Sequence, residues 1–177
     1  MLDHSMESND EIINRVATSA LVTFDLENYY QPGERVDLDI KGQLFQEMIL
    51  KEKDFREFIR THNWSQYQNK FVAINCSVDA IIPQWAYMLV AIALNPFAKL
   101  TVFGSLEDLE IEIFRKSLST VDWSEYINKK VVVKGCSKIA VPSALYVDVS
   151  RHLQPIVSGL MFGEPCSTVP LYKKPKG

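Results

Sequence analysis

All three cysteines of the chain stand in the same short phrase. Each is followed by serine and then, after one to four intervening residues, by Ile-Pro or Val-Pro. The three phrases are Cys76-Ser77-(four residues)-Ile82-Pro83, Cys136-Ser137-(three residues)-Val141-Pro142 and Cys166-Ser167-Thr168-Val169-Pro170. A tyrosine comes after each phrase, at Tyr87, Tyr146 and Tyr172. Cysteine thiolates are nucleophiles and ligands of soft metal ions, so the repeated phrase predicts a thiolate site.

The predicted metal ligands are Cys76, Cys136 and Cys166. Three convergent thiolates suit zinc, iron or an iron–sulfur cluster with one open position. The candidate ligand-binding residues beside them are Ser77, Ser137, Ser167, Asp79 and Glu164. A carboxylate, water or a partner protein would complete four-coordination, because the histidines are placed away from the expected site. No pair has the Cys-x2-Cys spacing, so the metal is not specified by the pattern.

The same cysteines have a purely structural interpretation. A free cysteine at a strand end often packs as a small apolar side chain, and the serine after it can start a turn or cap a helix. One such cysteine would favour that interpretation. Three cysteines that each stand in a copy of the same phrase favour a functional thiolate site.

The chain contains an internal repeat that explains two of the phrases. Residues 55–104 align with 114–163 at an offset of 59, with identities that include Trp64/Trp123, Tyr67/Tyr126 and Pro83/Pro142. Self-similarity over a fixed offset indicates duplication of a structural unit.

Each copy is predicted to run helix, strand, turn, helix, strand. The predicted strands are A (70–75), B (100–103), C (129–134) and D (157–162). Helical connections require parallel pairing with right-handed crossovers. Two copies related by a pseudo-two-fold axis then give a three-layer α/β domain with one mostly parallel sheet in the order B-A-C-D. The cysteines ending A and C would meet at the switch point between them, where such sheets bind ligands.

The remaining elements follow from local signals. Ser105 and Asp108 form a capping-box pattern that predicts a helix start. The other predictions are helices at 9–18, 52–61, 83–94 and 142–153, a hairpin or edge strands at 21–26 and 35–40, and an edge strand at 168–173. We expect 1–8 to be disordered, 9–173 to form a single α/β domain and 174–177 to be a polar tail.

Composition excludes several classes of protein. The net charge is −3, and no basic block occurs outside the last five positions, so we expect neither nucleic-acid nor membrane binding. The longest apolar run, 85–94, is half of what a membrane span needs. The acidic, polar start of the chain is unlike a secretory signal. These features predict a cytoplasmic protein with reduced thiols.

Several stretches resemble a known family. They are 11–16, 52–56, 83–87, Lys134-Gly135-Cys136-Ser137 and, most specifically, Gly163-Glu164-Pro165-Cys166-Ser167-Thr168-Val169-Pro170-Leu171-Tyr172. They are similar to the bacterial family called domain of unknown function 2480 over about residues 10–175. The resemblance implies an origin in Bacteroidetes, gene neighbourhoods of iron–sulfur cluster assembly and, as partners, iron–sulfur assembly proteins. It assigns no activity and no catalytic residue.

Three functions remain open at this point. The first is an accessory protein that binds a metal ion or iron–sulfur cluster through cysteine thiolates, with a place in cluster assembly. The second is a thiol-dependent enzyme or sulfur carrier with a low-pKa cysteine nucleophile. The third is a scaffold or interaction protein with inert, buried cysteines. The sequence decides neither between enzyme and non-enzyme nor the oligomeric state.

Overall fold

The computed structural model describes residues 21–134, 138–164 and 167–175. The described residues form a mixed α/β structure with parallel strands and connecting helices. The helices are α1 (Glu52–Thr61), α2 (Gln84–Leu94), α3 (Leu106–Leu118) and α4 (Ser143–Leu153). The predicted helix at 9–18 and the predicted disorder at 1–8 lie outside the described residues.

The strands form two sheets. They are β1 (Leu21–Phe24), β2 (Arg35–Asp39), β3 (Phe71–Asn75), β4 (Leu100–Phe103), β5 (Lys130–Val133), β6 (Gly159–Glu164) and β7 (Ser167–Lys173). One sheet has the order β2-β3-β4 and the other the order β1-β5-β6-β7. Every pairing is parallel except that of β7, which runs antiparallel to β6 at the sheet edge. The predicted edge strand at 168–173 is therefore confirmed.

The predicted strand order B-A-C-D was right for the parallel pairs A–B and C–D but wrong for the pairing of A with C. Strand A is β3, which lies between β2 and β4, and strand C is β5, which lies between β1 and β6. A and C are thus not neighbours, because each is already paired on both edges. Of the two alternatives predicted for 21–26 and 35–40, the edge strands are observed and the hairpin is not: β1 and β2 each form the edge of a different sheet and run parallel to the central strand of one copy.

The internal repeat is visible in the backbone. Phe71 pairs with Leu100 in the first copy and Lys130 pairs with Gly159 in the second, the same register shifted by 59 residues. The turn before each central strand is also repeated: Asn69 and Asn128 both have positive φ, at 61° and 58°. Their backbone N–H groups donate to the backbone carbonyls of residues 97 and 156, again 59 positions apart. Hydrogen-bond geometry repeated at this level supports duplication.

By its internal contacts the described chain divides into two compact units that are interleaved in sequence. The larger comprises 25–122 and 138–149, and the smaller comprises 21–24, 123–134, 150–164 and 167–175.

In the larger unit, helices cover both faces of the sheet β2-β3-β4. Val72 and Ile74 share a core with Phe55 of α1 and Val90 of α2. Phe71 and Ala73, which point to the opposite face of the same strand, pack against Leu109 and Ile113 of α3. This sheet therefore has the predicted three layers. The predicted capping box is confirmed as well, since Ser105 and Asp108 cap the first turn of α3 reciprocally.

In the smaller unit, the core is built on the central strand β5. Val131, Val132 and Val133 are fully or almost fully buried, as expected for a strand covered on both faces. The ring of Phe24 in β1 stacks on that of Trp123, with centroids 5.5 Å apart.

Candidate functional site

The carboxyl ends of β2 and β3 place two polar segments side by side in the larger unit. Asp39 is opposite Asn75 in the parallel register, so the residues that follow both strands emerge at the same sheet edge. Beyond Asn75 come Cys76 and Ser77, the start of the first cysteine phrase. Beyond Asp39 the chain forms a short 3₁₀ turn, Ile40–Gln43. Local structure thus brings an aspartate beside the cysteine phrase.

The Asp39 carboxylate holds the first phrase in place. One oxygen accepts from the backbone N–H of Lys41 at 2.9 Å and of Ser77 at 3.1 Å, and the other accepts from the Ser77 hydroxyl at 2.6 Å. Burial acts to raise the pKa of Asp39, but these donors outweigh it and hold the pKa below its usual value. Asp39 is therefore an ionised anchor for the segment that carries Cys76.

Cys76 is half-buried at this edge. Its Sγ lies 3.7 Å from the carbonyl oxygen of Val78, a weak S–H···O contact within its own loop, and its side chain packs against the core on the α1/α2 side. Tyr87 of α2 lies close enough for its pKa to be raised, first by burial and then by the negative charge of Cys76 and Asp39. The tyrosine that follows the first phrase is thus part of the same site.

The second copy has the same framework of an aspartate and a tyrosine. Asp25 follows β1 as Asp39 follows β2, and its carboxylate accepts from the N–H of Glu27 at 3.0 Å to cap the turn Leu26–Tyr29. The backbone N–H of Lys138 donates to the carboxylate of Glu27. Burial raises the pKa of Tyr146, and the charges of Asp25 and Glu27 raise it further.

Sequence reasoning missed the role of Asp25 and Asp39. In the sequence they alternate with Glu27 and Asp37, a pattern that is by itself typical of the solvent-exposed face of a strand. The signal that distinguishes them is a second repeated phrase, Phe24-Asp25-Leu26 and Leu38-Asp39-Ile40, in which a half-buried aspartate stands between two buried apolar residues.

The other predicted site residues lie in different places. Asp79 and Ser77 are exposed on the segment between β3 and α2. In the smaller unit, Glu164 ends β6 and pairs with Ser167 at the start of β7. Cys136, Ser137 and Cys166 lie outside the described residues, so the predicted convergence of the three cysteines remains a prediction.

Glu164 has an unusual environment. Its Oε1 atom is buried and has no hydrogen-bond partner among the described residues. Buried carboxylate oxygens are almost always paired, so an orphaned one calls for a specific explanation. In the sequence Glu164 stands two residues before Cys166.

His62 and His152 take part in aromatic packing, and His4 lies outside the described residues. His62 contacts the rings of Phe58, Trp64 and Tyr67, and burial lowers its pKa. His152 stacks on Trp123, with centroids 4.6 Å apart. Among the residues that the structure describes, no three His, Cys, Asp or Glu side chains are grouped so that they could hold a metal ion.

Comparisons with known proteins assign no chemistry to the chain. Within the described parts of the chain, no helix combines the length and apolar character needed to cross a membrane. The search of curated proteins and the search of solved structures returned no match. The model of one family, described as protein of unknown function (DUF2480), matches residues 10–174. Because this match spans nearly the whole sequence, the chain belongs to the DUF2480 family.

Proposed function

We propose that this protein is an accessory protein that binds a metal ion or an iron–sulfur cluster through cysteine thiolates and performs no turnover of its own. The observation that carries the proposal is the orphaned Oε1 of Glu164, a buried acceptor beside the third cysteine phrase. A metal ion would satisfy this oxygen, since carboxylates and thiolates together coordinate zinc and iron in proteins.

The topology of the smaller unit adds a second line of support. β5 and β6 are parallel neighbours, so the chain leaves both at the same edge of the sheet. Cys136 follows the end of β5 by three residues, and Cys166 follows the end of β6 by two. The donor set proposed here is therefore Glu164 together with the cysteine phrases.

The described residues by themselves do not complete a metal site. Cys76 is in the larger unit, and the carboxylate of Asp39 at the same sheet edge already accepts hydrogen bonds from Ser77 and Lys41. The metal affinities of the variants below determine how many of the cysteine phrases contribute a ligand. A place in cytoplasmic iron–sulfur cluster assembly, with assembly proteins as partners, belongs to the same proposal and is supported by the family resemblance.

Anaerobic purification of the full chain, followed by elemental analysis and a visible absorption spectrum, tests the proposal. We expect stoichiometric zinc or iron, with charge-transfer bands if a cluster is bound. Cys136→Ser, Cys166→Ser and Glu164→Gln should each lower metal affinity by about tenfold or more. Glu125→Gln removes an exposed carboxylate of the same unit and should leave the metal content unchanged.

Two other results would contradict the proposal. A metal-free protein with one cysteine that reacts quickly with iodoacetamide would favour the thiol-dependent enzyme or sulfur carrier. A metal-free protein whose three thiols all react slowly would favour the scaffold with structural cysteines.

A further inference from the structure

The larger unit contains a cavity of about 560 Å³ that the cysteine phrases do not reach. It lies at the amino ends of β3 and β4, where Phe71 and Leu100 begin these strands, and it is closed by residues of α3 and of the turn after β1. Cys76 is at the other end of β3, five residues or about 16 Å away at the rise of a strand. A volume of this size is typical of sites for small molecules.

The base of the cavity is apolar and partly aromatic. The side chains of Phe71 and Ile113 are almost completely buried, those of Leu100 and Tyr29 are half-buried, and all four line the space. Flat, rigid aromatic walls favour a flat apolar group in a ligand, because stacking and burial then act together.

The charged residues of the lining are both cationic. They are Lys99, whose Nζ lies 5.4 Å from the centre of the Phe71 ring, and Lys116 near the end of α3. Among the described residues that line the cavity, none is acidic. Within the described parts of the chain, neither lysine forms a salt bridge, in contrast to Lys41 and Lys70, which do.

A nearby arginine does not supply charge to the cavity. Arg35 also lies over the Phe71 ring, but its guanidinium is bound by both oxygens of Glu110, at 2.8 and 2.9 Å. A bidentate pair of this kind neutralises both partners. The uncompensated charge of the cavity therefore comes from Lys99 and Lys116, and a cleft lined by one sign of charge attracts ligands of the opposite sign.

From these observations we infer that the cavity is a binding site for a small aromatic anion, with the ring against Phe71 and Tyr29 and the anionic group, a carboxylate or a phosphate, between Lys99 and Lys116. The side-chain amides of Asn28 and Gln31, also in the lining, supply neutral hydrogen-bonding groups at the rim. This inference is independent of the proposed metal site, because no residue is shared.

The test uses the full chain, phenyl phosphate and benzoate as probes, and benzamide as the neutral analogue of benzoate. Binding is followed by amide ¹H–¹⁵N spectra. We expect at least one anionic probe to bind saturably with a Kd below about 1 mM and to shift the amides of Leu100, Ile113 and Ser117. Benzamide should bind about tenfold more weakly or worse. The stronger of the two anionic probes then identifies the carboxylate or the phosphate as the natural group.

Lysine variants separate this site from general attraction to a charged surface. Lys99→Gln and Lys116→Gln should each weaken binding by about tenfold, since each removes a charge-assisted hydrogen bond. Lys53→Gln changes the net charge equally but alters an exposed residue of α1 outside the cavity, and it should have no effect. All three lysines are exposed, so the variants should fold.

The inference fails if neither anion binds saturably or if the shifts map elsewhere. It also fails if benzamide binds as well as benzoate, or if Lys53→Gln weakens binding as much as the cavity variants. Cys76→Ser should leave probe binding intact, which keeps the outcome separate from that of the metal proposal.

Discussion

The two copies of the repeat have the same polar residues around the carboxyl ends of their strands, but the surfaces of the helices that follow differ. Asp39 and Tyr87 in the first copy correspond to Asp25 and Tyr146 in the second, and in both copies the aspartate caps a 3₁₀ turn and raises the pKa of the tyrosine in addition to burial. The strand register and the turn before the central strand are also the same.

The following helices, α2 and α4, have diverged. α2 has no charged residue, and Met88 and Ile92 on its surface are 62% and 66% exposed. In α4 the corresponding positions are Val147 and Arg151, and Asp148 replaces Leu89. Duplication therefore preserved the polar framework at the strand ends while the helix surfaces changed, which indicates that the framework is the part under common constraint.

The largest effects are expected from a buried phenylalanine that occurs at the equivalent position of both copies of the repeat. Phe55 and Phe114 are equivalent in the repeat, and both side chains are completely buried. Phe55→Ala and Phe114→Ala should each lower the free energy of unfolding by about 3–5 kcal/mol, through lost burial and a residual cavity. Urea denaturation followed by circular dichroism measures both.

Phe103→Ala is the control for these variants, because that ring is 68% exposed and its removal should cost under about 1 kcal/mol. A small loss for only one of the buried pair would show that the two copies contribute unequally to the fold.

A smaller effect is expected from the framework aspartates. Asp39→Asn removes the charge that accepts three hydrogen bonds and should cost about 1–2 kcal/mol at pH 6. Asp25→Asn should cost a similar amount, about 0.5–2 kcal/mol, as the cap of the equivalent turn. Asp79→Asn, at an exposed position, should change stability by less than about 0.5 kcal/mol.

The pH dependence identifies the contribution of Asp39. Its folded pKa lies below the unfolded value of 3.8, so the stabilisation is fully present above that pH and is lost as the pH falls through the folded pKa. The difference between wild type and Asp39→Asn should therefore be constant near neutral pH and shrink below pH 3.8. A difference that does not change in acid would contradict the role of the charge.

The sequence was sufficient for individual elements and for the parallel strand pair within each copy, but not for the pairing of β1 and β2 with the central strands. The helix predicted at 52–61 is observed as Glu52–Thr61, and the capping box starts α3 as expected, because periodicity and capping act within a few residues. Pairing of β1 with β5 joins residues more than 100 positions apart, and no local pattern encodes it.

The sequence left the choice between a hairpin and edge strands at 21–26 and 35–40 open for a specific reason. The Pro32-Gly33 turn between the two short strands favours a hairpin, but the repeated Asp-Leu and Asp-Ile endings show that the strands are equivalent members of two copies. The cavity lined by two lysines could not be predicted from the sequence, because Lys99 and Lys116 are distant in sequence and fall outside every motif, and only the packing of α3 on the sheet brings them together.

The smallest predicted effects concern an arginine that occurs at the equivalent position of both copies. Arg56 pairs with Glu52 one turn earlier on its own helix, whereas Arg115, its equivalent, joins α3 to α4 through Asp148, with both pairs at 2.8 Å. Double-mutant cycles should give a coupling of about 0.3–0.5 kcal/mol for the exposed pair within α1 and up to about 1 kcal/mol for Arg115 and Asp148, whose carboxylate is less exposed. Both couplings should fall in 1 M salt, because screening weakens exposed ion pairs.

Equal couplings would show that the cross-helix pair formed by Asp148 adds nothing to the second copy beyond a local ion pair. A larger coupling for Arg115 would mean that the charges gained by α4 serve to hold it to α3, whereas the uncharged α2 is held to α1 by apolar packing and by the contact of Arg56 with the Trp85 ring.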